Sequence, residues 1–227
     1  MLKLEKIKKL YWNNRGLRET FLTFEEGYIT AILGRNGSGK TTLLHVILGL
    51  LEPDTGTVTF HDQPVRELYD QVAFISEGGS FLPYMNAKQY GDFLASYYTN
   101  FSIEDYQKLL TRFEIDPLDK IHTMSKGQQL KLEISAGFAM HAKLIILDEP
   151  FTNLDVYAKE DTIKLLIEQL KEDTIILIST HNIEEIEQVA DRCLLLDDGL
   201  IKADITMDEL HEKGMDIRAF MDTVYKV

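Results

Sequence analysis

Short apolar runs alternate along this chain with segments in which apolar residues recur at helical spacing. The runs predict buried β-strands, of which the clearest are Tyr28–Leu33, Val72–Ser76, 144–147 and 174–179. Strands that are buried on both faces read as continuous apolar runs, and these strands alternate with helical patterns. The pattern therefore predicts an α/β fold in which both faces of a parallel sheet are covered.

Two regions depart from this alternation. Residues 1–33 carry strand patterns with short turns. Residues 78–140 are rich in helical patterns, so we expect a helical subdomain inserted into a core made of residues 1–77 and 141–227. Further elements are expected at 57–60 (strand), 156–171 and 183–190 (helices) and 197–199 (hairpin turn).

Composition limits the possible functions. The 227 residues carry a formal net charge of -13, which disfavours broad nucleic-acid binding because such binding neutralises phosphates with Lys and Arg. Cys193 is the only cysteine, and its apolar neighbours favour a buried small hydrophobe over a reactive thiol. No apolar run approaches the roughly twenty residues that span a bilayer. We therefore expect a cytosolic chain whose membrane role, if it has one, needs a separate partner.

The strongest chemical signal is the stretch 34–41, which reads G-x-x-x-x-G-K-T between a predicted strand and a predicted helix. In that context a glycine-rich loop points successive backbone N–H groups at the phosphates of a nucleotide. Lys40 would add a charge at the β- and γ-phosphates, and the Thr41 hydroxyl would hold Mg²⁺. The candidate nucleotide ligands are Gly34, Asn36, Gly37, Ser38, Gly39, Lys40, Thr41 and Thr42.

A second signal follows the apolar strand at 144–147, where Asp148 and Glu149 emerge at the carboxyl end. Ligands of open α/β sheets bind at that edge. Asp148 is the candidate Mg²⁺ residue, and Glu149 is the candidate base that polarises the attacking water.

With these motifs in place, the chain resembles the nucleotide-binding subunits of ABC transporters over essentially its whole length. Residues 124–128 match the LSGGQ signature, and residues 152–155 look like the D-loop. His181 follows a strand as the switch histidine does, and Tyr11 stands where an aromatic residue stacks on adenine. Each match is weak alone, but their shared order and spacing are specific.

The resemblance implies a P-loop NTPase (RecA-like) core with an N-terminal antiparallel β subdomain and an inserted α-helical subdomain, and it implies that the core binds ATP and Mg²⁺. It implies two ATP-binding subunits, identical or different, that face each other head to tail and enclose ATP. Ser125, Gly127, Gln128 and Asp155 would contact the ATP held by the opposite chain, and His181 would act in catalysis. A transmembrane permease subunit would be a further partner, which would make this chain a peripheral protein on the cytoplasmic face of the membrane.

Three departures from the family pattern bear on mechanism. Lys126 replaces a glycine of the signature, Met124 replaces its leucine, and Glu77 stands where the Q-loop glutamine is usual. A carboxylate at position 77 could reach Mg²⁺, so Glu77 joins the candidate metal residues. With Glu77 and the Ser-Lys-Gly sequence of its signature, the chain resembles a bacterial subgroup of export-type ATPases.

Two other functional readings remain. A soluble ABC ATPase without a transporter is the alternative, although the chain has one cassette and no long arms. A catalytically weak binding module is disfavoured by intact Lys40, Asp148, Glu149 and His181.

Overall fold

Two β-sheets form the framework of the computed structural model, which describes residues 1–12, 15–76, 78–79, 81–82 and 84–225. Alternating or continuous apolar residues explain the longer strands. The strands of the described residues are β1 (Leu2–Leu10), β2 (Gly16–Phe24), β3 (Tyr28–Leu33), β4 (Thr55–Phe60), β5 (Gln63–Pro64), β6 (Val72–Ser76), β7 (Leu144–Asp148), β8 (Ile175–Thr180), β9 (Arg192–Asp197) and β10 (Leu200–Thr206).

Most of the helices begin at a polar residue whose side chain accepts a hydrogen bond from the first turn, as at Asn86, Ser102, Ser125, Asp155 and Thr206. The helices of the described residues are α1 (Lys40–Ile47), α2 (Ala87–Tyr97), α3 (Ile103–Arg112), α4 (Lys126–Phe138), α5 (Val156–Gln169), α6 (Ile183–Ile186), α7 (Met207–Glu212) and α8 (Ile217–Tyr225).

The larger sheet determines where the functional residues meet. Its order is β10-β9-β3-β8-β7-β6, and all neighbours pair in parallel except β10 with β9. Asp148 at the end of β7 pairs with Ser179, and Leu33 at the end of β3 pairs with Thr180. The carboxyl ends of three adjacent strands therefore bring the loop at 34–39, the Asp148–Glu149 pair and His181 to one edge, as the sequence predicts.

The smaller sheet is antiparallel, in the order β2-β1-β4-β5, and lies against α1 and one face of the larger sheet. Successive residues of the central strand β8 enter two cores. Ile175 and Leu177 join the core shared with the small sheet, whereas Ile176 and Ile178 join the core shared with the helices between β6 and β7. Both faces of the large sheet are therefore covered, as predicted.

The C-terminal third differs from the expectation in two ways. The segment predicted as a helix at 183–190 is a regular helix only over Ile183–Ile186. Turns continue to Ala190, whose N–H donates to the Ile186 carbonyl, and the Asp191 carboxylate then accepts the Ile29 N–H at 2.8 Å. The helices α7 and α8 are not predicted, although the capping pair Thr206 and Glu209 is readable in the sequence. Within the described part of the chain, no helix combines the length and the apolar character needed to cross a membrane.

Candidate nucleotide-binding site

The loop between β3 and α1 owes its path to its glycines. A Cβ on Gly34 would lie 2.2 Å from the Leu196 carbonyl oxygen, so no larger residue fits there. Gly37 and Gly39 have φ values of 81° and 110°, in the left-handed region that glycine adopts without steric cost. No side chain of the described residues caps the N-terminus of α1, so its N–H groups are available to an anion.

Lys40 stands at the base of this loop. Its Nζ donates to the Gly34 carbonyl at 2.8 Å and lies 3.9 Å from Oε1 of Glu149. Lys40 is only 7% exposed, so its side chain is buried although it lies at the wall of a cavity. The loop therefore holds the ammonium in place. Because Lys provides a point charge, this ammonium could bind the phosphates of a nucleotide in the loop.

The next residue connects the loop to the carboxylates. Thr41 Oγ1 donates to Oδ2 of Asp148 at 3.0 Å. The other Asp148 oxygen, Oδ1, accepts a hydrogen bond from the Ser179 hydroxyl, and Ser179 is fully buried on the adjacent strand. The Thr41 hydroxyl and the Asp148 carboxylate, whose orientation is fixed by Ser179, are oxygen ligands that suit a hard cation such as Mg²⁺.

Glu149 has an unusual backbone and a fixed side chain. Its φ is 53°, a left-handed conformation that costs a residue with a Cβ about 1–3 kcal/mol. Its Oε2 accepts the backbone N–H of His181 at 3.3 Å and lies 2.8 Å from His181 Nδ1. Strain of this kind persists where the surrounding structure imposes it, and here the Ser179 carbonyl, which accepts the Glu149 N–H at 2.9 Å, and the backbone of His181 hold Glu149 in place.

A cavity of about 490 Å³ extends from this cluster along the loop. Tyr11, the candidate adenine-stacking residue, lies in its wall, which places an aromatic ring and the phosphate loop around the same space. The lining residues are Tyr11, Arg15, Gly16, Asn36, Gly37, Gly39, Lys40, Thr41, Thr42 and Glu149. Arg15 and Gly16 are not predicted from the sequence, and the only available signal is an Arg-Gly pair just before a strand.

Ser38, like Gly34 and Arg35 of the same loop, is not among the residues that line the cavity. Its side chain is buried, its N–H donates to the Arg35 carbonyl at 3.0 Å, and its carbonyl accepts the Gly199 N–H at 2.9 Å. Ser38 thus ties the loop to the turn between β9 and β10 and does not line the cavity. Its assignment as a nucleotide ligand stays a prediction.

The signature residues form a separate helix N-terminus. Ser125 Oγ accepts the Gln128 N–H at 3.2 Å, while Gln128 Oε1 accepts the Ser125 N–H at 2.9 Å. A Cβ on Gly127 would lie 2.6 Å from the Asn153 carbonyl oxygen, so this glycine allows close contact between the signature and the D-loop. This reciprocal capping fixes the turn that the family resemblance assigns to ATP binding.

Asp155 caps the next helix. Its Oδ1 accepts the Ala158 N–H at 2.9 Å, and its Oδ2 pairs with Lys131 Nζ at 3.0 Å. The Ala158 N–H, followed by the Lys131 ammonium, lowers the pKa of this carboxyl. None of Ser125, Gly127, Gln128 and Asp155 is among the described residues that line the cavity. Glu77, the remaining candidate metal residue, lies outside the described residues.

Comparison with known proteins gives the same family. The model of the ABC transporter family matches residues 17–152. The ABC transporter ATP-binding protein YtrB of Bacillus subtilis (strain 168) is 32% identical, over 98% of this chain and 78% of YtrB. The SkfA peptide export ATP-binding protein SkfE of the same strain is 26% identical, over 94% of this chain and 92% of SkfE.

A solved structure of the ATP-binding subunit of an ABC transporter has the same fold. It superposes with a TM-score of 0.86 at 26% identity, covering 99% of this chain and 98% of that one. The predicted P-loop NTPase fold is therefore confirmed.

Proposed function

The chain belongs to the ABC transporter family as an ATP-binding subunit with ATPase activity, and from that premise we propose that it powers a bacterial exporter through a separate transmembrane permease. The observation that carries the mechanism is the position of Glu149. Its carboxylate is fixed by His181 at the cavity wall, 3.9 Å from the Lys40 ammonium.

The chemistry follows from these contacts. The triphosphate would lie along the loop with its γ-phosphate at Lys40 and the N-terminus of α1. Glu149 would accept a hydrogen bond from a water and draw its proton as the water oxygen attacks the γ-phosphorus. The bond from the γ-phosphorus to the oxygen of ADP then breaks, which yields ADP and phosphate. His181 would keep the Glu149 carboxylate oriented towards that water.

Thr41 and Asp148 are the residues that would hold Mg²⁺. Their oxygens lie 3.0 Å apart beside Lys40, and Ser179 orients the carboxylate. Mg²⁺ commonly uses one or two protein oxygens together with phosphate oxygens, which fits so small a set. When bound, it would neutralise charge on the phosphates.

The second subunit is proposed from the location of the signature. Ser125 and Gly127 lie at the N-terminus of α4, outside the cavity that holds Lys40 and Glu149. A helix N-terminus can bind phosphate, so the signature of one chain would complete the site of another. Two chains would then be held together by ATP and would separate after hydrolysis, which is a population shift driven by the nucleotide.

This proposal has a direct binding test. In the presence of ATP the Glu149→Gln variant should form a homodimer. If the natural dimer consists of two different ATP-binding subunits, the variant should bind that second subunit instead. Adding Ser125→Arg should abolish that association while ATP still binds to the phosphate loop. Light scattering and ATP titration of both variants give the two readouts, and association that survives Ser125→Arg would contradict the composite site.

Export is proposed because SkfE, which resembles this chain along nearly its full length, is named for peptide export. The cytoplasmic membrane face is proposed because the permease would anchor the chain there. Co-purification of a tagged chain with a multi-spanning membrane protein tests the partner. ATP-driven accumulation of peptides inside everted vesicles tests the direction, and accumulation only in right-side-out vesicles would contradict export. Absence of any membrane partner would favour a soluble ABC ATPase.

A further inference from the structure

The last helix of the described chain contacts the phosphate loop. The guanidinium carbon of Arg35 lies 4.5 Å from the centre of the Tyr225 ring, within the range of a cation–π interaction. Arg35 is the second residue of the loop, and Tyr225 is the last residue of α8. Neither residue lines the cavity, so this contact supports the loop from outside the nucleotide site.

The backbone carbonyl of Arg35 contacts two other residues of the loop. Its carbonyl oxygen accepts the Ser38 N–H at 3.0 Å and lies 3.5 Å from Lys40 Nζ. The neighbouring Gly34 carbonyl accepts the same Lys40 ammonium at 2.8 Å. The peptide that carries the Arg35 side chain thus determines where the Lys40 charge and the turn at Ser38 are held.

The ring of Tyr225 is presented from a firmly attached helix. Asp216 accepts the Ala219 N–H, and Glu187 accepts the Ile217 N–H at 2.9 Å, so two carboxylates fix the first turn of α8. Phe220 and Tyr225 pack against the core that covers the sheet. Burial, and then the negative charge of Asp197, raises the pKa of Tyr225, so the phenol stays neutral and the ring keeps its full attraction for a cation.

We propose that Tyr225 is a positioning residue for ATP binding: its ring holds Arg35 so that the loop keeps the shape in which Lys40 and the α1 N–H groups meet the phosphates. The proposal rests on the phosphate loop being the ATP site. It assigns to α8 a part in nucleotide affinity, although Tyr225 does not line the cavity. The chemical step at Glu149 does not depend on this contact.

The test separates affinity from chemistry. Tyr225→Leu removes the ring and should raise the KM for ATP about three- to tenfold, the size of one cation–π contact, with kcat nearly unchanged. Tyr225→Phe keeps the ring and should retain the original KM. Phe220→Leu is the matched control, since it makes the same aromatic-to-leucine change on the same helix while the Tyr225 ring stays in place, and it should leave KM unchanged.

A double-mutant cycle identifies the partner of the ring. Arg35→Gln should raise KM as well, and the Tyr225→Leu/Arg35→Gln double variant should be no worse than the poorer single variant. Additive effects, an unchanged KM in Tyr225→Leu, or a fall in kcat alone would each overturn the proposal. Because binding is reciprocal, ATP should also slow hydrogen exchange in the last turn of α8, and no change there would contradict the coupling.

Failure of the site assignment gives a different pattern. If Lys40→Ala kept normal ATP affinity, the loop would not be the ATP site, and the Tyr225 proposal, which rests on that site, would be overturned with it. If Lys40→Ala loses affinity while Tyr225→Leu and Arg35→Gln bind normally, only the positioning contact is disproved.

Discussion

Thr41 Oγ1 and Asp148 Oδ2 lie 3.0 Å apart, although 107 residues separate them along the chain. Thr41 belongs to the first turn of α1, which follows β3, and Asp148 ends β7. The contact exists because β3 and β7 point the same way in one sheet, so that their carboxyl ends lie at the same edge. The pair connects the phosphate loop to the carboxylates at a distance suited to shared coordination of one cation.

The hydrogen bond behind Asp148 should affect Mg²⁺ affinity. Ser179→Ala removes the hydroxyl that donates to Asp148 Oδ1, so the carboxylate should lose part of its fixed orientation. We expect the Mg²⁺ concentration for half-maximal ATPase activity to rise about fivefold, the equivalent of one hydrogen bond of about 1 kcal/mol. A Mg²⁺ titration of ATPase activity at saturating ATP measures this half-maximal concentration.

Ser135→Ala is the control for that experiment. Ser135 is as buried as Ser179, but its hydroxyl donates to the Lys131 carbonyl inside α4. This variant should lose a comparable amount of stability with no change in Mg²⁺ dependence. Equal Mg²⁺ curves for the two variants would argue against an orienting function of Ser179.

Lys40→Ala should remove most nucleotide affinity and all turnover. A hydrogen bond to a charged group contributes about 1.5–3 kcal/mol, so ATP affinity should fall by roughly ten- to a hundredfold. Trp12, the only tryptophan, follows Tyr11 of the cavity wall and offers a fluorescence signal for the titration. Thermal unfolding must show that the variant is folded, since the replaced side chain is buried. Unchanged affinity would exclude the loop as the ATP site.

Cys193 should be inert in the native protein. Burial, and then the nearby charge of Glu187, raises the pKa of this thiol to about 12, so almost no thiolate exists at pH 8. Because thiolate is the reactive form, a disulfide reagent should label the thiol only as the protein unfolds. Labelling in guanidinium chloride is the positive control, and complete labelling within minutes in native buffer would contradict the buried assignment.

Glu77 carries a prediction that comes from the sequence alone. If it is a Mg²⁺-linked coupling residue and not the base, Glu77→Gln should leave basal ATPase activity within roughly tenfold, about 1.4 kcal/mol of barrier. The larger effect should fall on the activity stimulated by the permease. A loss as deep as that of Glu149→Gln in the isolated subunit would make Glu77 part of the chemistry.

The sequence predicts the positions of the candidate site residues where one motif contains both the residues and their local structure. The glycine loop must join a strand to a helix, so the motif itself predicts that Lys40 and Thr41 begin that helix beside the phosphates. Asp148 and Glu149 follow an apolar strand, and parallel pairing then brings them to the loop. These predictions work because each residue lies at the end of a strongly patterned element.

Other features depend on contacts that no local pattern encodes. The left-handed backbone of Glu149 and its bond to His181 come from the packing of two strand ends. The approach of Tyr225 to Arg35 joins residues at opposite ends of the chain. The segment predicted as a helix at 183–190 is a regular helix only over Ile183–Ile186, and the hydrogen bond from Ile29 to Asp191 that follows it is a tertiary contact with β3.

The assignment of Glu149 as the base is the central claim, and the Glu149→Gln variant tests it most directly. ATP turnover and the ATP dissociation constant should be measured on the isolated subunit, with Glu104→Gln, an exposed carboxylate of α3, as the control. Turnover of Glu149→Gln should fall by at least about a hundredfold, the contribution of a general base, while ATP affinity is retained. Turnover at the original rate in Glu149→Gln would contradict the account.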